Sequence, residues 1–187
     1  MDKLTDYIKV YPWLDKELCD QVRKEIDEAT WQQHTFYNPQ DGRYSDRSGE
    51  RELDVSWSNI KNRDVLTQRV WEAISQYILT DFKNDYFNSW SGFTSIRFNR
   101  YRKDKLMAKH VDHIHSMFDG TIKGIPILSI VGFLNDDYEG GEFIMFDDME
   151  IKLKQGDVLI FPSNFLYPHK VNPVTKGIRD SFVSWVW

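Results

Sequence analysis

The chain has 187 residues, enough for one domain with a substantial core, and 29 acidic against 24 basic side chains give a formal net charge of −5. That balance excludes a general nucleic-acid binder, which needs a basic face, and no apolar run approaches the length of a membrane span. A single cysteine excludes a disulfide framework and fits a reducing compartment; aromatic content of 15% suits a β-rich core with rigid pocket walls. Met1 to Val10 lacks the basic-then-apolar pattern of a signal peptide, so cytoplasm is the expected location.

In chain order, Tyr7 to Tyr11 alternates and reads as a short strand. Leu14, Leu18, Val22 and Ile26 recur every four residues, which predicts a helix from about Asp15 to Ala29 with Asp15 as its N-cap. Cys19 falls on this helix and reads as a small packed residue. Thr35 to Ser56 is irregular, with turn signals at Asn38-Pro39 and Asp41-Gly42. It is either a surface loop or irregular hairpin, or a lid over a site, in which case Tyr37, Arg43, Tyr44, Arg47 and Arg51 would contact substrate. Leu66, Val70, Ile74, Tyr77 and Ile78 form the apolar stripe of a second helix, Asp64 to Phe82, with Trp71 beside it. Phe93 to Tyr101 reads as a strand that turns Thr94, Ile96 and Phe98 one way and Arg97, Asn99 and Tyr101 the other. Further strands are expected at Ile127–Leu134, Glu142–Phe146, Ile151–Leu153 and Val158–Phe161. The turns between them, including Asp136-Asp137 and Asp147-Asp148, suggest a closed or sandwiched β core.

The chemistry concentrates in two stretches, Tyr101 to Asp112 and His169 to Trp185. On a strand, His110 and Asp112 point the same way, about 7 Å apart along the chain. With a later histidine, His169, they make a two-histidine, one-carboxylate set of the kind that holds non-haem iron and leaves positions open. Ten residues on, Arg179 offers a planar cation suited to a carboxylate, and a strand from there would place Arg179, Ser181, Val183 and Trp185 on one face. Tyr101 could add a phenol donor to the same anion. A ligand that chelates metal at one end and carries an acid at the other, such as 2-oxoglutarate, fits this arrangement. His113 and His115 read as loop residues near the mouth; the alternative is a His-rich zinc site.

The set His110-x-Asp112, His169 and Arg179 with Ser181 resembles the signature of the iron(II)- and 2-oxoglutarate-dependent dioxygenases. Tyr101, Gly140-Gly141-Glu142-Phe143, the run Gly156 to Pro162, and Arg179 to Trp185 are similar to the prolyl 4-hydroxylase branch, in the form of a small bacterial or phage-type member. The resemblance spans roughly Phe93 to Trp187, about half the chain. It implies a mainly β, double-stranded β-helix (jelly-roll) core braced by two N-terminal helices. The expected organisation is one domain over 1–187, with helices and lid loop in 1–92 and the catalytic core in 93–187. It further implies iron(II) on His110, Asp112 and His169, with 2-oxoglutarate as cosubstrate held by Tyr101, Arg179 and Ser181 beside Trp185. Dioxygen is the other reactant, and ascorbate a candidate reductant. The implied reaction hydroxylates a prolyl residue in a peptide or protein and decarboxylates 2-oxoglutarate to succinate. No nucleic-acid or membrane partner is expected. The competing readings are a hydroxylase of a free amino acid or small metabolite, an iron oxygenase without cosubstrate, and a non-catalytic metal-binding jelly-roll module.

Overall fold

The computed structural model describes residues 3–38, 43–45, 51–83, 90–112 and 125–187. After a 3-10 turn at Leu4–Tyr7 come β1 (Lys9–Pro12), α1 (Lys16–Asp27), β2 (Gln32–Gln33), β3 (Phe36–Asn38), β4 (Arg43–Ser45) and β5 (Asp54–Ser56). Then follow α2 (Arg63–Ser75), which runs into a π-helical segment at Gln76–Asp81, β6 (Arg97–Tyr101) and β7 (Met107–His110). The remainder is all strand: β8 (Leu128–Phe133), β9 (Glu139–Gly140), β10 (Phe143–Met145), β11 (Met149–Ile151) and β12 (Asp157–Pro162). The chain closes with β13 (His169–Val171), β14 (Val174–Lys176) and β15 (Arg179–Val186).

A seven-stranded sheet in the order β1-β12-β8-β15-β6-β5-β2 opposes a four-stranded sheet in the order β11-β10-β13-β7, and the pairings are antiparallel. The larger sheet is covered on both faces, which is why its strands read as nearly continuous apolar runs. Leu128, Ile130, Val158, Ile160, Phe98 and Phe182 point outward to the helices, where Leu18, Val22, Ile26, Leu66, Val70 and Ile74 complete one core. Val131, Phe133, Leu159, Phe161 and Val183 point inward and meet Met107, Phe143, Met145 and Val171 of the smaller sheet in a second core. Burying each such Leu, Ile, Val or Phe contributes roughly 1.5–3 kcal/mol. This is the expected mainly β, jelly-roll architecture with helices on one face.

The local rules behind these elements are visible in particular residues. Asp15 caps α1 by accepting a hydrogen bond from the Leu18 amide at 2.8 Å, and the four apolar residues read from the sequence are the ones that face the core. Gly132 lies opposite Phe182 on β15, and a Cβ at this position would stand 2.1 Å from the Phe182 ring, so only glycine fits.

Four expectations shift. The strand expected at Ile151–Leu153 lies earlier, as β11 at Met149–Ile151. The predicted strand from Phe93 begins only at Arg97, with Phe93 held by a single bridge to Val186. The irregular stretch 35–56 holds the β3–β4 hairpin and then β5, which joins the larger sheet. Strand β7 ends at His110, so Asp112 lies past the strand and is not placed by strand alternation. His113, His115, Arg47 and the Asp41-Gly42 turn lie outside the described residues, as do the side chains of Tyr37 and Arg43. Among the described residues no helix is long and apolar enough to cross a membrane.

Candidate active site

Strand pairing brings the distant stretches together. On the smaller sheet His110 of β7 lies directly opposite His169 of β13, so their rings meet at 4.3 Å between centroids. Asp112 joins them from the loop after β7. Its Oδ1 sits 3.2 Å from His110 Nε2 and 3.8 Å from His169 Nε2, and one donor atom from each residue lies within 4.8 Å of the others. That spacing could hold a single metal ion.

The surroundings orient each donor. His110 Nδ1–H donates to the Ala108 carbonyl at 2.8 Å, and His169 Nδ1–H to the Tyr167 carbonyl at 3.1 Å. Both imidazoles are thereby held in the tautomer that leaves Nε2 free as a ligand. The Ser129 hydroxyl donates to Asp112 Oδ2 at 2.7 Å and is itself paired with Ser163 at 2.7 Å, which turns Oδ1 toward the imidazoles. Burial disfavours the charged carboxylate, but His169, His110 and Ser129 outweigh it and hold Asp112 well below the usual range. Burial, with His110 adding to it, pulls His169 down to about 4, so its ring is neutral at ordinary pH, as a metal ligand requires. Phe143 stacks on His169 at 5.3 Å and Phe161 meets it edge-on at 4.9 Å, so the ring cannot swing away.

On the larger sheet, Arg179 of β15 lies opposite Tyr101 of β6. Its guanidinium is 1% exposed and packs 4.5 Å from the Tyr101 ring centroid and 4.9 Å from that of Phe133. Nη1 donates to Ser181 at 3.3 Å, while Nε and Nη2 are buried and have no partner among the described residues. A buried cation with two unsatisfied N–H groups calls for an anion with two acceptor oxygens, that is, a carboxylate. Gly141 allows the chain to close over its stem: φ is +67°, and a Cβ there would come within 3.1 Å of Arg179 Cδ. Tyr101, Arg179, Val183, Trp185 and the three metal-ligand candidates all line one inner pocket. The residues present thus fit an iron ion and a dicarboxylate together.

The predicted site residues therefore converge, Ser181 through its bond to Arg179. The polar face of β6, with Arg97, Asn99 and Tyr101, also lines the pocket as expected. A cleft of about 340 Å³ leads outward from it, with Phe36, Tyr44, Trp57 and Trp185 among its walls. This places β3 and β4, from the stretch read as loop or lid, at the mouth; Arg51 is exposed. Residue-level reading missed Ser129, which orients Asp112, and His34, which lines the outer cleft. Ser129 left a usable sign: it is a lone hydroxyl on the inward face of an apolar strand, where a buried polar group must have a partner. His34 left none.

A model of the 2OG-Fe(II) oxygenase superfamily matches residues 96–187. A PKHD-type hydroxylase of Shewanella sp. (strain MR-7) is 32% identical over 181 residues, covering 91% of this chain and 73% of that protein. One from Idiomarina loihiensis is 30% identical over 152 residues, covering 78% and 66%, and one from Xylella fastidiosa (strain M12) is 38% identical over 107 residues, covering 48% and 43%. The chain thus spans about two thirds of the Idiomarina protein and less than half of the Xylella one. Among solved structures, a Trichoplax adhaerens prolyl hydroxylase in complex with a hypoxia inducible factor peptide superposes with a TM-score of 0.73 over 98% of this chain and 84% of its own, at 16% identity. A Pseudomonas putida prolyl-4-hydroxylase gives 0.63 over 97% and 95%, at 18% identity. These two establish the fold. The relative aligned through nearly the whole chain goes further, and the matched model covers every candidate ligand: the chain belongs to the 2OG-Fe(II) oxygenase superfamily, alongside the PKHD-type hydroxylases.

Proposed function

We propose that the chain hydroxylates a C–H bond of a prolyl residue in a peptide or protein, coupled to decarboxylation of 2-oxoglutarate to succinate. The carrying observation is the coincidence, in one pocket, of the His110–Asp112–His169 cluster with a buried Arg179 whose Nε and Nη2 lack partners among the described residues. His110, Asp112 and His169 would hold iron(II), which when bound supplies the capacity to activate dioxygen. Arg179 would grip the distal carboxylate of 2-oxoglutarate, with Ser181 fixing its guanidinium and Tyr101 walling the same end. Val131, Phe143 and Val183 give the pocket apolar walls that would exclude water, and Trp185 lines both it and the outer cleft. The open cleft with its exposed Trp57 and Tyr44 supports an extended substrate such as a peptide, because flat aromatic walls accept a ring without demanding one sequence.

The test is succinate formation with iron(II), 2-oxoglutarate and dioxygen, with and without proline-containing peptides, using His110→Ala as control. Peptide-stimulated, His110-dependent turnover with hydroxyproline in the product is expected. Turnover indifferent to every peptide would refute the prolyl assignment and leave the oxygenase.

A further inference from the structure

A second buried guanidinium stands beside the site. Arg97 is 9% exposed, and because it shares a strand face with Asn99 and Tyr101 it lines both the inner pocket and the outer cleft. Its Nε donates to Asn99 Oδ1 at 3.1 Å, and its plane lies over the Trp185 ring, 5.0 Å from the centroid. Its two terminal nitrogens donate to no group among the described residues, and it forms no ion pair there. Arg100, three residues on and facing the other way, shows what a purely structural arginine looks like in this protein: Asp180 grips it at 2.7 and 3.0 Å and Asp27 at 2.8 Å. Burial lowers Arg97 to about 10 and still leaves it charged at neutral pH. Across the same cleft, His34 is 9% exposed, and its buried Nδ1 is also without a partner among the described residues. Asp112 and Tyr101 offset part of the cost of burying this cation, but neither hydrogen-bonds it, and a ligand carboxylate would supply the hydrogen bonds that its terminal nitrogens lack.

We propose that Arg97 binds a carboxylate carried by the molecule being oxidised, distinct from the acid assigned to Arg179, with His34 as a further hydrogen-bonding group. Trp185 fixes the guanidinium plane from one side, so the free edge is preset for two parallel hydrogen bonds. The cleft thereby selects substrates that hold an acid close to the oxidised carbon. The acid is either the α-carboxylate of a free amino acid or an Asp or Glu side chain next to the target residue in a peptide. This specificity rests on the oxygenase reading of the pocket.

The experiment compares matched acids and amides by calorimetry, on protein loaded anaerobically with iron(II) and 2-oxoglutarate. The probes are N-acetyl amino acids, proline included, as free acid and as amide, and proline-containing peptides with Glu or Gln on either side of the proline. The acids should bind roughly tenfold to hundredfold more tightly than their amides, as expected of a bidentate charged hydrogen bond. Preference confined to the first set identifies a free amino acid, and to the second a peptide. Arg97→Gln should abolish the preference and Arg97→Lys retain part of it, while 2-oxoglutarate binds both variants as it binds the parent. Equal binding of acids and amides overturns the proposal, and this comparison needs no variant to fold. A loss of 2-oxoglutarate affinity in Arg97→Gln as large as the loss for the acids also overturns it, by placing Arg97 on the cosubstrate. An Arg97-dependent acid preference in protein that binds no 2-oxoglutarate would uphold the carboxylate site and sink the oxygenase reading instead.

Discussion

At Arg179 the geometry separates two affinities that a damaged pocket would lose together. The guanidinium belongs to the larger sheet and the metal-ligand candidates to the smaller one or the loop beyond it, and no hydrogen bond joins them. Arg179→Ala should therefore weaken 2-oxoglutarate binding by roughly tenfold to hundredfold, the worth of a charged bidentate contact, while metal affinity stays near the parent value. Calorimetric titration of each ligand alone decides it; equal losses would mean the guanidinium supports the pocket rather than the acid. Ser129 makes the opposite split. Its hydroxyl holds Asp112 Oδ2 at 2.7 Å, so Ser129→Ala frees the carboxylate to rotate. Metal affinity should fall by about tenfold to hundredfold with the fold intact, as for outer-shell partners generally. Unchanged metal binding in that variant would remove Ser129 from the site.

Among the elements, β6 and β15 are tied to α1 by ions as well as by the core. The Arg100–Asp180 pair is bidentate, 6% and 1% exposed in its side chains, and Arg100 also packs over Trp31 at 4.8 Å. The Asp180 amide, in turn, donates to Asn135 at 2.7 Å. Removing Asp180 leaves the buried Arg100 with only the exposed Asp27 as counter-charge, so Asp180→Ala should cost about 3 kcal/mol in urea unfolding, the lower end for a broken buried pair. A cost under about 1 kcal/mol would show that the pair behaves as a surface ion pair. At this scale the sequence was readable wherever the two faces of an element differ. Four-residue spacing located both helices, and the polar triplet Arg97, Asn99, Tyr101 opposite Ile96 and Phe98 assigned β6 its pocket face. Reading failed where a partner comes from strand pairing alone. Nothing near Asp112 in the chain indicates Ser129, which reaches it only because the fold brings β8 beside Asp112. Likewise Gln32-Gln33 and Asp54–Ser56 are short and polar, so their membership of the larger sheet rests on neighbours and not on pattern.

For the whole molecule, the resemblance and the matched family model both begin near residue 96, whereas the packing does not divide there. The N-terminal half adds β1 at one edge of the larger sheet and β5 and β2 at the other, and it supplies the helices that cover the outward face. Without it, Phe98, Ile130, Ile160 and Phe182, each at most 1% exposed in the intact chain, would face water together, as an apolar surface too large for a soluble monomer. The two open sheet edges would then be free to pair with other chains. Cys19 offers a direct probe of that packing. It is fully buried on α1, and burial, with Asp15 and Asp20 adding to it, pushes its thiol up to about 12, so in the intact chain it should react with iodoacetamide only as fast as the protein unfolds. We therefore expect residues 93–187 alone to be unfolded or aggregated, and the full chain to lose near-UV circular dichroism and gain Cys19 reactivity in a single transition. A dispersed, monomeric NMR spectrum from the isolated segment 93–187 would show that the site-bearing half folds by itself. A Cys19 reactivity transition well below the loss of near-UV signal would show the helices detaching first. Either result would make the N-terminal half a detachable brace, where the packing makes it part of the sheet that carries Arg179.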